Sequence, residues 1–119
     1  MAGIQDSLSA LLSIDGALGC CIVDYTSGMA LGMDGGGVDL EMAAAGNSEV
    51  VKAKMETMRN LGIGGAIEDI LITLDDQFHV IRPMEQHDGL FMYLVLAKGK
   101  SNLALARRKV ENIGSELVI

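Results

Sequence analysis

The chain has 119 residues, half of them apolar and only 3% aromatic, and its formal net charge is −7 at pH 7. This length suits one domain, which buries roughly two thirds of the surface of the unfolded chain. The acidic balance and the lack of aromatic stacking residues argue against a nucleic-acid partner. No window offers 18 uninterrupted apolar residues, and no basic residue precedes the first apolar stretch. We therefore expect a cytoplasmic protein without a signal peptide and without direct membrane insertion.

The first third of the chain predicts one helix and two strands. Apolar residues at helical spacing predict a helix over residues 4–13, which Asp15 and Gly16 end. The almost unbroken apolar run of residues 17–24 predicts a strand buried on both faces, and residues 29–33 predict a weaker return strand. Cys20 and Cys21 should then point to opposite faces of the sheet. We interpret both as small core residues in a reducing compartment rather than as a disulfide or metal site.

The longest helical pattern begins after Asp39, a good N-cap, and ends at Leu61, before the C-terminal Gly62. Its predicted apolar face is broad and contains Leu40, Ala43, Ala44, Val50, Val51, Met55, Met58 and Leu61. The predicted opposite face carries Glu41, Ala45, Ser48, Glu49, Lys52, Glu56 and Arg59. The small residues at 43–46 would let a neighbouring backbone approach closely, which suggests a second contact surface on this helix.

The remaining chain predicts three strands and a final helix. The strands cover residues 67–74, residues 77–82 and residues 90–97, and the last of these is apolar on both faces, as a central strand should be. Ser101 is the expected cap of the final helix. Short turns between consecutive strands force antiparallel pairing. The predicted fold is therefore α+β, with about five antiparallel strands covered by helices.

The sequence contains no recognisable catalytic, cofactor-binding or metal-binding set. His79 falls within a strand and His87 in a turn, and neither has a nearby nucleophile or ligand group. The glycine clusters at 32–37 and 62–65 are interpreted as hinges, because acidic residues or a strand follow them instead of the Lys and Ser or Thr of a phosphate loop. The basic residues between 98 and 109 are interpreted as an exposed helix flank, with an acidic partner or a membrane surface as the alternative. We expect no enzyme and no cofactor.

Hydrophobic patterns spread over nearly the whole chain carry a resemblance to a known family. They lie at residues 16–24, 27–29, 43–47, 68–73, 79–83, 94–96 and 102–107. With the order α-β-β-α-β-β-β-α, the chain resembles the roadblock/dynein light chain family, and within it the bacterial stand-alone, MglB-like branch. The resemblance implies that residues 1–119 form a single roadblock-type domain, whose five-stranded antiparallel sheet is sandwiched by helices as in roadblock and profilin folds.

The resemblance also implies a homodimer. In the family, the third strand is a sheet edge that pairs with its copy, and the second helices lie side by side across the dimer. Carried onto this sequence, it assigns a dimer interface to Ala43, Ala44, Gly46, Asn47, Ile67, Asp69, Ile70, Leu71, Ile72 and Thr73. Such pairing would remove the aggregation hazard of an open edge.

Relatives in the family bind small Ras-like GTPases, often across the paired second helices. The corresponding surface of this sequence consists of Glu41, Ser48, Glu49, Lys52, Glu56 and Arg59. The leading hypothesis is a non-enzymatic homodimeric regulator or scaffold for an MglA-like GTPase. No arginine matches a family catalytic finger, so any effect on GTP hydrolysis is expected to come from ordering the GTPase's own loops.

Two other hypotheses stay open. The alternative to a GTPase regulator is a structural dimerisation or adaptor module of a signalling or motor complex, indifferent to nucleotide state. In that setting a sensor kinase or another co-encoded signalling protein is a further expected partner. Small-molecule sensing is a third hypothesis, and it rests only on the analogy with sensory folds that layer helices on antiparallel sheets.

Overall fold

A computed structural model describes residues 1–119 and shows three α-helices and five strands in the predicted order. The elements are α1 (Ile4–Leu12), β1 (Ala17–Asp24), β2 (Met29–Gly35), α2 (Leu40–Leu61), β3 (Ile70–Thr73), β4 (Gln77–Pro83), β5 (Leu90–Ala97) and α3 (Leu103–Glu116), with a 3₁₀ turn at Lys98–Lys100 before α3. The α+β prediction is confirmed. None of the helices combines the length and the apolar run that a membrane crossing requires.

The five strands form one antiparallel sheet in the order β2-β1-β5-β4-β3. β5 lies at the centre, paired with β1 on one side and β4 on the other, and its residues from Leu90 to Leu96 are all buried. This confirms the prediction from its two-sided apolar sequence. β3 pairs only with β4 and is therefore an edge of the sheet.

Helices cover both faces of the sheet and divide the core in two. α1 and α3 pack on one face with Cys20, Ile22 and Leu94, whereas α2 packs on the other face with Cys21 and Tyr93. The two cysteines are free and buried on opposite faces, as predicted. Burial raises the pKa of Cys20 to about 11 and that of Cys21 to about 12, so both remain thiols at neutral pH.

The ends of α2 follow the sequence prediction. The side chain of Asp39 accepts a hydrogen bond from the N–H of Met42 at 3.1 Å, which satisfies one of the free donors of the first turn. Gly62 ends the helix with a φ of 68°, a left-handed conformation that favours glycine.

The buried stripe of α2 differs from the predicted face. It consists of Leu40, Ala44, Ser48 and Val51, so Ser48 is 1% exposed although it was predicted on the polar face. Ala44, predicted in the contact seam between two helices, is also 1% exposed and packs in this chain's own core. Ser48 tolerates burial because its hydroxyl donates to the Ala44 carbonyl at 2.7 Å. The predictions of Ser48 as a partner-facing residue and of Ala44 as a dimer contact are therefore wrong.

Several element boundaries also differ from the prediction, and α1 and β4 each differ by one residue at their C-terminal end. β2 extends two residues further, to Gly35, because its backbone runs so close to β1 that a side chain at Gly19 would collide with Gly36. β3 begins three residues later and ends one residue earlier than predicted. The N-cap of α3 is Asn102, whose side chain accepts from the N–H of Leu105 at 3.1 Å, whereas Ser101 donates to the Ala97 carbonyl.

Replacing the cap of α3 should weaken the fold. Asn102→Ala removes the acceptor for the Leu105 N–H, and we expect the free energy of unfolding to fall by about 1 kcal/mol. Asn102→Asp keeps the acceptor and should stay close to the wild type. Urea denaturation of the three proteins measures both effects, and equal stabilities would show that the cap contributes nothing.

Enlarging the buried alanine of α2 should destabilise the fold itself. Ala44→Leu adds three carbon atoms where the helix touches the sheet, and overpacking of this kind costs about 1–3 kcal/mol. Ala45→Leu, at the exposed neighbouring position, is the matched control and should leave stability nearly unchanged. Thermal unfolding compares the two variants, and similar melting temperatures would contradict the placement of Ala44 in the core.

Candidate partner interface

A shallow groove runs between the first half of α2 and the middle of the sheet, with a volume of about 380 Å³. We call it the α2 groove, and it is lined by Val38, Asp39, Met42, Ala43, Gly46, Asn47, Val50, His79 and Tyr93. Its α2 wall exposes large apolar side chains, since Met42 is 71% and Val50 39% exposed. Exposed apolar side chains that lie together mark a candidate contact surface.

Three polar side chains of β4 and β5 form a directed hydrogen-bond chain, and two of them, His79 and Tyr93, line the groove. The Gln77 amide nitrogen donates to the Gly37 carbonyl at 3.2 Å, which turns the amide oxygen toward His79. That oxygen lies 2.9 Å from His79 Nε2 and can only accept, so Nε2 carries the proton. His79 Nδ1 is then free to accept from the Tyr93 hydroxyl at 3.0 Å. The chain therefore runs from Tyr93 through His79 and Gln77 to the segment that leads into α2.

Burial keeps this hydrogen-bond chain uncharged. It raises the pKa of Tyr93 to about 12, an increase to which Cys21 adds and which the side chain of Asn47 opposes. Burial also lowers the pKa of His79, whose ring stands edge-on to Tyr93 with centroids 5.4 Å apart. At neutral pH the floor of the groove is polar but neutral.

The floor of the groove continues to the free edge of the sheet. Ile72 of β3 lies opposite His79 and packs with Ile70 against the α2-side core, so both isoleucines share the face of His79. Leu71 and Thr73 alternate to the face of α1 and α3. The prediction that β3 is an edge strand is confirmed, and the structure brings Ile70 and Ile72 to the same side of the sheet as Ala43, Gly46 and Asn47.

Three residues predicted in the strand lie before it, and two of them, Ile67 and Asp69, belong to the predicted interface. Asp69 accepts from Arg107 Nε at 2.7 Å and from Nη2 at 3.0 Å, so its carboxylate is held by α3. Ile67 lines a second cavity, of about 370 Å³, beyond the C-terminal half of α2 together with Met55 and Met58. The prediction that β3 includes Ile67 and Asp69 is wrong, because the bidentate bond to Arg107 holds the segment before Ile70 on α3.

The outward surface of α2 carries the other predicted partner residues. Glu41, Glu49, Glu56 and Arg59 are exposed and Lys52 is half-buried. Glu49 and Lys52 lie 3.1 Å apart, and Glu56 and Arg59 lie 3.6 Å apart, each one turn along the helix. We call these five residues the outer surface of α2. Exposed pairs of this kind contribute little stability and leave a surface of mixed charge with one net negative charge.

The sequence did not indicate the roles of His79, Gln77 and Tyr93. Gln77, His79 and Ile81 alternate toward one face of β4, but the pairing of β4 with β5 had to be known before Tyr93 could be placed beside His79. The three side chains are hydrogen-bonded to one another. No group of three or more His, Cys, Asp or Glu side chains could hold a metal ion.

Comparison with known proteins identifies the fold. Neither a protein family model nor a curated protein matches the sequence. Among solved structures, the roadblock/LC7 domain from Streptomyces avermitilis superposes with a TM-score of 0.81 at 13% identity, covering 96% of this chain and 93% of that one. Myxococcus xanthus MglB superposes with a TM-score of 0.79 at 13% identity, covering 93% of this chain and 90% of that one.

A third similar structure is described as MglB with a tetrameric arrangement. It has a TM-score of 0.79 at 14% identity and covers 93% of this chain and 82% of that one. Sequence identities this low carry the fold and no more. With its strand order, its two layers of helices and these superpositions, the chain has a roadblock/LC7 fold of the type found in bacterial MglB.

Proposed function

We propose that this protein is a non-enzymatic homodimeric regulator or scaffold that binds a small Ras-like, MglA-like GTPase and can modulate its GTP hydrolysis. The observation that carries the proposal is the MglB-type fold combined with a free β3 edge beside an exposed apolar groove. In this proposal residues 1–119 act as one roadblock-type domain. A co-encoded signalling protein such as a sensor kinase would be a further partner.

The proposed dimer pairs β3 with its copy and places the two α2 helices side by side. The register of β3 with β4 is regular from Ile70 opposite Ile81 to Thr73 opposite Phe78, so the outer edge of β3 is a straight template for a further strand. On the α2 side the partner's helix would cover the exposed wall of the groove at Met42 and Val50. One such copy would pair the backbone groups of the open edge and also cover the apolar wall of the groove.

The position of Gly46 fits a close helix contact. A side chain built at Gly46 meets no atom of its own chain within 4 Å. A glycine inside a helix costs about 1 kcal/mol relative to alanine, and here this chain's own packing does not require it. A second helix approaching at this point would explain the residue.

Replacing Gly46 therefore tests the dimer contact without weakening the fold of the monomer. Gly46→Leu should raise the dimer dissociation constant by about tenfold to a hundredfold, because overpacking a close contact costs about 1–3 kcal/mol. Stability of the monomer should rise, since leucine is the better helix former. Ala45→Leu is the matched control. Sedimentation equilibrium gives both dissociation constants, and an unchanged value for Gly46→Leu would remove this helix contact from the proposal.

The outer surface of α2 is the proposed GTPase-binding surface, without Ser48. Arg59 is its only arginine, and it is paired with Glu56 at 3.6 Å. This exposed pair is weak and does not hold the guanidinium in place, but no arginine of the sequence matches a catalytic finger of the resembled family. We therefore assign any effect on hydrolysis to the ordering of the GTPase's own loops.

Titration against the Ras-like GTPase of the same organism tests the function. We expect binding about tenfold tighter to the form loaded with a non-hydrolysable GTP analogue than to the GDP form, within the usual range of coupling between two sites. Glu49→Lys should slow association, because charges at an interface rim mainly set the on-rate. Asp6→Lys, a matched reversal on α1 across the sheet, should not.

The other outcomes of this titration are equally informative. Equal affinity for both nucleotide forms would favour the alternative function, a structural adaptor that is indifferent to nucleotide state. Absence of binding to either form would contradict the GTPase proposal while leaving the fold unchanged.

A further inference from the structure

His79 lies at the junction of the α2 groove and the free edge of the sheet. Its ring lines the groove opposite the wall of α2, and its neighbour across the strand pair is Ile72 of the edge strand β3. A second copy that pairs along β3 and fills the groove must cover this ring. We propose that His79 makes the homodimer acid-sensitive, so that a proton on its imidazole drives the two copies apart. This inference rests on the homodimer proposed above.

The hydrogen-bond chain keeps its direction only while the His79 ring is neutral. Nε2–H donates to Gln77 and Nδ1 accepts from the Tyr93 hydroxyl. A proton on Nδ1 converts that acceptor into a donor, so the Tyr93 hydroxyl must turn its own proton away. In the free protomer water in the open groove can accept that proton. Under a second copy that water is excluded, and the hydroxyl must turn to the side chain of Asn47 on α2, which would have to present its amide oxygen in a covered site.

The surroundings offer little compensation for a positive charge. From β5 the ring is faced by Tyr93, which is neutral, and from β3 by Ile72, which cannot ionise. The only carboxylate that lines the groove is that of Asp39 at the start of α2, which is exposed and already accepts from the Met42 N–H. No lysine or arginine lines the groove. A covered imidazolium would therefore be desolvated without a buried partner charge.

The direction of the effect follows from proton linkage. Partial burial already lowers the pKa of His79 below its ordinary value in the free chain, and complete covering lowers it further. Dissociated protomers then bind more protons than the dimer, so acid favours dissociation. With two copies of His79 in each dimer, the dissociation constant rises by up to about a hundredfold per pH unit below the pKa of the free protomer.

The two histidines of the chain provide a matched pair of variants. His79→Gln keeps a neutral donor and acceptor and removes the titration. His87→Gln removes the other histidine, which lies near the C-terminus with Nε2 3.0 Å from the Leu117 carbonyl. Sedimentation equilibrium at pH 8.0, 7.0, 6.0 and 5.0 gives the dissociation constant of each protein. Circular dichroism at the same pH values verifies that each remains folded.

We expect the wild type and His87→Gln to dissociate together as the pH falls, and His79→Gln to stay dimeric. Should His79→Gln fail to fold, NMR titration of the His79 Cε1–H signal in the wild type replaces it. Its pKa should be lower at protein concentrations above the dissociation constant than below it. Equal pKa values, or a wild-type dissociation constant that does not change with pH, would overturn the acid sensitivity and leave the dimer intact. A wild type that is monomeric at pH 8.0 would overturn the dimer and its regulation together.

Discussion

Burial of β5 on both faces is the constraint on which the rest of the structure depends. Every side chain from Leu90 to Leu96 is withdrawn from water, so neither face of the sheet can be left to solvent. Two helices cover one face and a single helix covers the other. α2 is the only helix on its face of the sheet. It packs mainly over β1 and β2, with β5 beneath its inner edge. The part of the sheet near β4 and β3 is left uncovered, and this gap is the α2 groove.

Small residues determine how closely α2 approaches the sheet. Ala44 and Ser48 are the small residues of the buried stripe, so the helix can lie close to the sheet. The hydroxyl of Ser48 stays hydrogen-bonded to its own helix. A close approach at this stripe leaves Met42 and Val50 on the flank, where they are exposed toward the groove. The apolar surface proposed for the dimer is therefore a consequence of how closely α2 packs on the sheet. Protein surfaces that remain apolar for such a reason are available to partners.

The sequence alone was sufficient for the elements that have strong local signals. β1 and β5 were predicted with their observed bounds, because unbroken apolar runs between turn residues specify buried strands. α2 was predicted to the residue from its cap and its terminal glycine. The errors arose where tertiary contacts decide. Ser48 is buried because it lies one turn from both Ala44 and Val51 on the stripe that packs on the sheet. Asp69 leaves β3 because Arg107 binds it, and Asn102 rather than Ser101 caps α3. Of the residues that line the groove, Ala43, Gly46 and Asn47 had been assigned to a dimer interface through the family resemblance, whereas placing His79 beside Tyr93 required the strand pairing.

The two edges of the sheet differ in a way that bears on assembly. A sheet with two open edges could pair at both and grow without limit. β2 is poorly suited to pairing with a further strand, because its register with β1 shifts between Ile22 and Val23 and its glycines at 32 and 35 fit close contacts that a side chain would disturb. An irregular strand of this kind twists and interrupts an edge. β3 has a regular register and an isoleucine pair facing the groove. Pairing through β3 alone closes after two copies, so the difference between the edges favours a closed dimer over an open polymer.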